Sequence, residues 1–156
     1  MKYKIRVMKN TDSKGIRELV NELPEWFDDD ARQRAIPSDL NHQTTFVAVQ
    51  EDRQIGFITL YFAEGRINIG WLAVRRNYHG KGIGRALLNH AEAFGRKSGM
   101  KEIATVTLGD GIDYEPYKAT RSFYLSQGFE IYQRNTTNNP GCPEEIKIKK
   151  KIPEDV

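Results

Sequence analysis

The sequence predicts a mixed α/β domain in which a mostly antiparallel central sheet is flanked by helices, in the order β-α-α-β-β-β-α-β-α-β-β. Three observations predict it. Short runs rich in β-branched and aromatic residues recur along the chain and are bounded by turn residues, as strands require. Between them lie segments with apolar residues at helical spacing. The chain has 156 residues, 38% hydrophobic and 29% charged, which suits a single domain spanning 1–156 with a buried core.

Lys4 to Met8 alternates like an edge strand. Asp12 is placed to cap a helix carrying Ile16, Leu19, Val20 and Leu23, and Pro24 ends it. Pro24 to Leu40, with Trp26, Phe27 and the acidic run Asp28–Asp30, reads as a lid-like loop followed by a short second helix. Thr45–Val49 and Ile55–Phe62 are strands joined through Glu51, Asp52 and Arg53. Glu64-Gly65 turns the chain into a third strand, Arg66–Val74. The next helix buries Ile83, Leu87, Ala91 and Phe94 on one face and closes at Ser98-Gly99. Lys101–Leu108 is a strand, and Pro116 opens a helix that runs to Gln127 and stops at Gly128. Glu130–Arg134 and Glu145–Lys151 complete the sheet.

Composition narrows the function classes. Twenty-four basic and 21 acidic residues give a net charge of +3, too balanced to argue for a nucleic-acid partner. Lys147, Lys149, Lys150 and Lys151 alternate with Ile146, Ile148 and Ile152, the pattern of a strand with a solvated face. Strand edges near Ile146–Ile152 make a homodimer the expected assembly. The single cysteine, Cys142, rules out an internal disulfide and fits a reducing, cytoplasmic compartment. No apolar run approaches the roughly 20 residues of a membrane helix, so no membrane partner is expected. His42, His79 and His90 are scattered, without metal-ligand spacing.

The most informative segment is Gly80-Lys81-Gly82-Ile83-Gly84, which follows the strand Ile69–Val74 and opens directly into Arg85-Ala86-Leu87-Leu88. Glycines let the backbone approach an anion without Cβ clashes. The first turn of a helix leaves its N–H groups unpaired, with the positive end of the helix dipole behind them. Lys81 and Arg85 add positive charge at the same spot. Arg85 stands where the third glycine of a dinucleotide fingerprint would fall, and no GK[ST] follows, so neither a Rossmann site nor a nucleoside-triphosphate loop is indicated. Further along, Tyr117, Thr120 and Tyr124 share one helical face, three hydroxyls that suggest a polar lining.

The stretch Trp71 to Leu88 resembles the central acyl-CoA motif of the GNAT N-acetyltransferase superfamily, and Ala119 to Phe129 resembles its later helix motif. The two blocks stand in the right order and separation. The resemblance implies the single-domain GNAT fold, with acetyl-CoA as acetyl donor. Its pyrophosphate would lie on the amides of His79, Gly80, Lys81, Gly82, Ile83 and Gly84 and on Arg85. His79 departs from the glutamine or arginine usual in the family but keeps its amide. The pantetheine arm would pair with the backbone of Leu72, Ala73 and Val74. Tyr117 and Thr120, where the family often has asparagine and alanine, would alter contacts to that arm. Tyr124 is implied as the general acid that protonates the departing thiolate, a role a phenol with pKa near 10 can fill.

The acceptor amine must be neutral to attack. A lysine-like amine loses its proton at pH 7 at a cost of roughly 4–5 kcal/mol, an α-amine at about 1 kcal/mol. The family's usual carboxylate base lies on the strand before the loop, but here that strand reads Ile67-Asn68-Ile69-Gly70-Trp71. Asp110, Asp113 and Glu115 are the remaining candidates, ahead of Glu64 and Asp28, with water as the alternative. Asp110, Asp113 and Glu115 are expected at one mouth of the cleft and Asp28–Asp30 at the other, attracting cationic amines, with Tyr114, Tyr117 and Trp26 offering cation–π contacts. The expected activity is acetyl transfer to a primary amine of a small molecule by direct attack in a ternary complex. Protein or peptide N-acetylation and non-catalytic acyl-CoA binding are the alternatives.

Overall fold

The computed structural model describes residues 1–111, 113–140 and 142–154. Strands β1 (Lys4–Val7), β2 (Thr44–Gln50), β3 (Arg53–Ala63), β4 (Arg66–Val74), β5 (Glu102–Leu108), β6 (Glu130–Thr136) and β7 (Glu144–Lys151) form one sheet in the order β1-β2-β3-β4-β5-β7-β6. Every neighbouring pair is antiparallel except β4 and β5, which are parallel. Helices α1 (Ser13–Asn21), α2 (Ile36–Leu40), α3 (Ile83–Lys97) and α4 (Glu115–Ser126) complete the element order read from the sequence.

Two hydrophobic layers sandwich the sheet. On one face Ile83, Leu87, Leu88 and Ala91 of α3 pack on Ile58, Leu60, Ile67 and Ile103, joined by Tyr124 and Phe129. On the other, Ile16, Leu19 and Val20 of α1 and Ile36 and Leu40 of α2 pack on Val47, Phe57 and Ala73. Each fully buried aliphatic side chain contributes about 1.5–3 kcal/mol. Among the described residues no helix is long and apolar enough to cross a membrane.

Three local outcomes differ from the sequence reading. Asp12 does not cap α1 through its side chain. It ends a short 3-10 turn, Asn10–Asp12, and its carboxylate turns back to accept the Lys9 N–H at 2.7 Å, two bonds from Arg6 at 2.7 and 2.9 Å, and the Gln54 amide at 2.8 Å. α2 is preceded by a wide helical turn, Ala31–Ala35, in which Ile36 N–H bonds the Ala31 carbonyl. Pro37 follows directly and has no N–H to continue a regular ladder. Finally, β7 is interior, between β5 and β6, so the edge expected near Ile146–Ile152 is paired on both sides. The free edges are β1 and β6. Residue alternation reports which face is buried, not which strands flank it. Lys150 also leaves the solvated lysine face and pairs with the buried Glu92 of α3 at 2.9 Å.

Asp12 is almost wholly buried, and the Arg6 bond holds its pKa down to about 2, against an ordinary value near 3.9. A depressed carboxylate stabilises the fold above its unfolded pKa and stops doing so as pH falls through its folded one. Asp12→Ala is expected to destabilise the protein by about 3 kcal/mol at pH 7. Urea unfolding at pH 7 and near pH 2 checks this, with the gap between wild type and variant shrinking at the lower pH.

Candidate active site

The site begins where β4 and β5 separate. They pair only at Ile67↔Ile103 and Asn68↔Ala104, although β4 continues to Val74 and β5 to Leu108. The last link is Thr105, whose hydroxyl donates to the Ile69 carbonyl at 3.0 Å. Beyond it, Gly70 is an extra residue in β4: Thr59 pairs with Trp71 while Leu60 pairs with Ile69. Trp71 N–H bonds the Thr59 hydroxyl at 2.8 Å instead of a ladder carbonyl. A Cβ on Gly70 would lie 2.2 Å from Gln43 Oε1 and 2.7 Å from Thr59 Oγ1, so no other residue fits without movement. The bulge reverses the strand's facing. Ile67 and Ile69 belong to the α3 layer, as do Leu72 and Val74, whereas Trp71 and Ala73 turn to the α1–α2 layer.

Between the parted strands lies a cavity of about 700 Å³. Of the residues expected at the cofactor site, Leu72, Ala73, Val74, His79, Gly80, Gly82, Ile83, Gly84, Arg85, Tyr117 and Thr120 all line it, as does Tyr124. Lys81 lies within the loop but its ammonium sits over the Tyr78 ring at 5.6 Å. Leu72, Ala73 and Val74 pair with β3 on one side only.

At the end of β4, Arg75 is buried and fixes the strand: its N–H bonds Ile55 O, and its guanidinium reaches Gln54 O at 2.7 Å, Gly15 O at 3.3 Å and Glu22 at 3.0 Å. The glycine loop follows. Gly80 and Gly82 have φ of 75° and 84°, left-handed positions that alternate with ordinary ones and turn successive amides into a concave nest. The ladder of α3 begins with Ala86 N–H to Gly82 O at 3.0 Å, so the amides of its first turn have no helical partner. His79 differs from expectation: its N–H is bonded to Arg76 O at 3.1 Å inside a short 3-10 turn, so the open amides start at Gly80. Its ring Nε2 lies 2.6 Å from the Val74 carbonyl and carries the proton shared there.

α4 forms the opposite wall. Ala119 and Phe123, on the neighbouring face of the helix, line the cavity together with Tyr117, Thr120 and Tyr124. Tyr124 is 6% exposed and packs edge-on against Phe123 and Phe129. Burial pushes its phenol up from the ordinary value, with the Thr105 hydroxyl pulling weakly the other way. Such a group stays protonated at neutral pH. The Tyr117 hydroxyl donates to Trp26 O at 2.6 Å, and that of Thr120 to Pro116 O at 3.2 Å.

Those bonds are part of a strap that the sequence indicated only as a lid-like loop. Trp26 Nε1 donates to Pro116 O at 2.9 Å, and Tyr114 OH donates to Glu25 O at 2.7 Å. Arg76 bonds Glu22 O at 2.8 Å and Glu25 at 2.5 Å, and lies over the Trp26 ring at 5.8 Å. Trp26 stands edge-on to His79 at 5.6 Å. The segment between α1 and α2 is thus tied both to α4 and to the approach to the glycine loop.

The carboxylates expected to wall the cleft are engaged elsewhere. Asp28 caps the next helix through Ala31 N–H at 2.8 Å, Asp29 pairs with Arg32, and Asp30 with Arg34 at 2.7 Å. Asp110 pairs with Arg134 at 2.7 Å and Glu115 faces Lys118 at 3.8 Å. Glu64 pairs with Arg66 at 3.4 Å, and Asp113 is exposed. No carboxylate lines the cavity among the described residues. Asp28, Asp29, Asp30, Glu64 and Glu115 each find a partner within four positions, whereas Asp110 reaches across to Arg134 and Asp113 is exposed.

The acetyltransferase (GNAT) domain family matches residues 41–131, more than half of the chain and all of the segment from β2 through α4. The chain belongs to this family of acetyltransferases. No curated protein sequence matches it. Among solved structures, it is similar to a GNAT-family acetyltransferase structure from Desulfovibrio desulfuricans (TM-score 0.83, 22% identity, covering 97% of this chain and 100% of the other). It is also similar to the ribosomal-protein-S18-alanine N-acetyltransferase of Escherichia coli (0.75, 16%, 99% and 97%). A third similar structure is an aminoglycoside 6′-N-acetyltransferase complexed with coenzyme A (0.74, 18%, 98% and 99%). At these identities the likeness is one of fold.

Gly70→Ala tests the bulge. The added Cβ must displace Gln43 and Thr59, an overpacking expected to destabilise by about 2 kcal/mol and to lower the melting temperature in a thermal unfolding scan.

Proposed function

We propose that this protein transfers an acetyl group from acetyl-CoA to a primary amine of a small molecule, by direct attack in a ternary complex. One observation carries the reading: an open nest of amides, a strand edge without a partner and a buried phenol all border one cavity. Acetyl-CoA supplies an activated thioester acyl group. The amides from Gly80 to the first turn of α3, with exposed Arg85, suit its diphosphate. A Cβ on Gly84 would meet only Phe123 and Val74, none closer than 3.5 Å, so the protein's own packing does not demand glycine there. The backbone of Leu72 and Ala73, which pairs with β3 on one side only, suits an extended amide-bearing arm, while the cleft-side carbonyl of Val74 is taken by the His79 ring.

Tyr124 holds its proton at the phenol oxygen, where a departing thiolate needs one. In the transfer, the amine nitrogen forms the new bond to the acyl carbon, the carbon–sulfur bond breaks, and the sulfur takes the Tyr124 proton. The proton lost by the amine goes to water, since no carboxylate of the described residues borders the cavity, and a proton from water then restores the Tyr124 phenol. The single thiol supports a cytoplasmic setting.

Two further readings are less well supported. Likeness in fold to a ribosomal-protein alanine N-acetyltransferase brings peptide acceptors into view, but Trp26, tied to α4 through Pro116 O and Tyr117, lines the cavity and would have to accommodate such a chain. A purely acyl-CoA-binding module would not need a buried phenol in the cavity wall.

Tyr124→Phe is expected to lower kcat by about 100-fold while leaving the KM for acetyl-CoA within about twofold, measured by thiol release. The raised phenol pKa fixes the sign of the pH effect. The acid form persists beyond the ordinary value of about 10, so Tyr124 imposes no alkaline loss of kcat below pH 10.

A further inference from the structure

Trp26, Phe27, Trp71, Leu108, Tyr117 and Cys142 line one cavity, and we take the wall they form as the acceptor side. Phe27 and Trp71 meet edge to face at 5.8 Å. The polar atoms of this wall are already committed. Trp26 Nε1 donates to Pro116 O, Trp71 Nε1 donates to Asp39 at 2.8 Å, Tyr117 OH donates to Trp26 O, and the Cys142 thiol lies 3.5 Å from Glu144 O. The Trp26 ring already carries the Arg76 guanidinium at 5.8 Å. Apart from the committed atoms, these six side chains offer ring and aliphatic surface.

From this wall, and resting on the acetyl-transfer reading above, we infer that the acceptor is a primary amine on a flat apolar body, of the arylamine class. Three physical arguments lead there. A cationic or polyhydroxylated acceptor would lose its hydration without finding counter-charges or free hydrogen-bond partners in this wall. An amine whose conjugate acid titrates below pH 7 is already neutral, and so needs no carboxylate base. A planar ring fits the edge-to-face geometry that Trp71 and Phe27 present. The acidic residues flanking the cleft, Asp28 to Asp30, Asp110 and Glu115, do not oppose this, because each is turned to a helix start or a basic neighbour.

The test is thiol release from acetyl-CoA by the full chain at pH 7 with four acceptors: an aniline, 2-phenylethylamine, spermidine and an aminoglycoside. The aniline is expected to exceed spermidine and the aminoglycoside at least 100-fold in kcat/KM, with a rate flat between pH 6.5 and 9. The 2-phenylethylamine rate should climb about tenfold per pH unit over the same range. Cys142→Asp, which places a carboxylate in the wall, should raise kcat/KM for spermidine at least tenfold and lower that for the aniline. Equal or better use of spermidine or the aminoglycoside by the wild type overturns the inference, as does unchanged selectivity in Cys142→Asp. Quenching of tryptophan fluorescence by the aniline is read in parallel, with coenzyme A present. Saturable quenching without thiol release from any amine would support the apolar acceptor pocket and overturn the transfer reading instead.

Discussion

β4 and β5 run side by side for two register pairs and then part, and the rest of the site follows from that separation. Parallel strands normally continue their ladder as far as both extend. Here the ladder stops at Asn68↔Ala104, Thr105 makes one last bond to Ile69, and Gly70 inserts a bulge at once. The result is a wedge-shaped opening in the middle of an otherwise continuous sheet, with unpaired backbone on its β4 side. Because the bulge also reverses the strand's facing, Trp71 reaches the α1–α2 side, while Leu72 and Val74 turn to α3. One glycine therefore decides which side chains of β4 face each layer.

The elements around the opening hold it in place from outside. Arg75 ties the end of β4 to β3 and α1, so the glycine loop starts from a fixed point. The α1–α2 segment is bonded to α4 through Trp26, Tyr114 and Tyr117, and to the loop's approach through Arg76. Side-chain charge goes into these scaffolding contacts and surface pairs, so no carboxylate of the described residues lines the cavity, while Arg85 does.

Much of this was legible in the sequence. The order of elements follows from periodicity and turn residues, and the glycine turn at a strand-to-helix junction follows from alternating glycines, where Gly80 and Gly82 do take left-handed conformations. The face of α4 that carries Tyr124 was also readable from spacing. Features that depend on distant pairing were not. Asp12 turns to Arg6, the Lys9 amide and Gln54 rather than to a helix cap, because a buried carboxylate must have its charge and lone pairs satisfied. The His79 amide is consumed by a 3-10 turn that no local pattern announces. The place of β7 inside the sheet and the pairing of Asp110 with Arg134 are facts of tertiary arrangement. Gly70 within an apolar strand was the one overlooked signal, since an isolated glycine there marks a bulge.

The most direct test is a calorimetric titration of the folded protein with coenzyme A at low and moderate ionic strength. If the amides from Gly80 into α3 and the guanidinium of Arg85 hold the diphosphate, binding will saturate at one site per chain and weaken as salt is added. Absence of any heat of binding, with folding verified by circular dichroism in the same sample, would contradict the account.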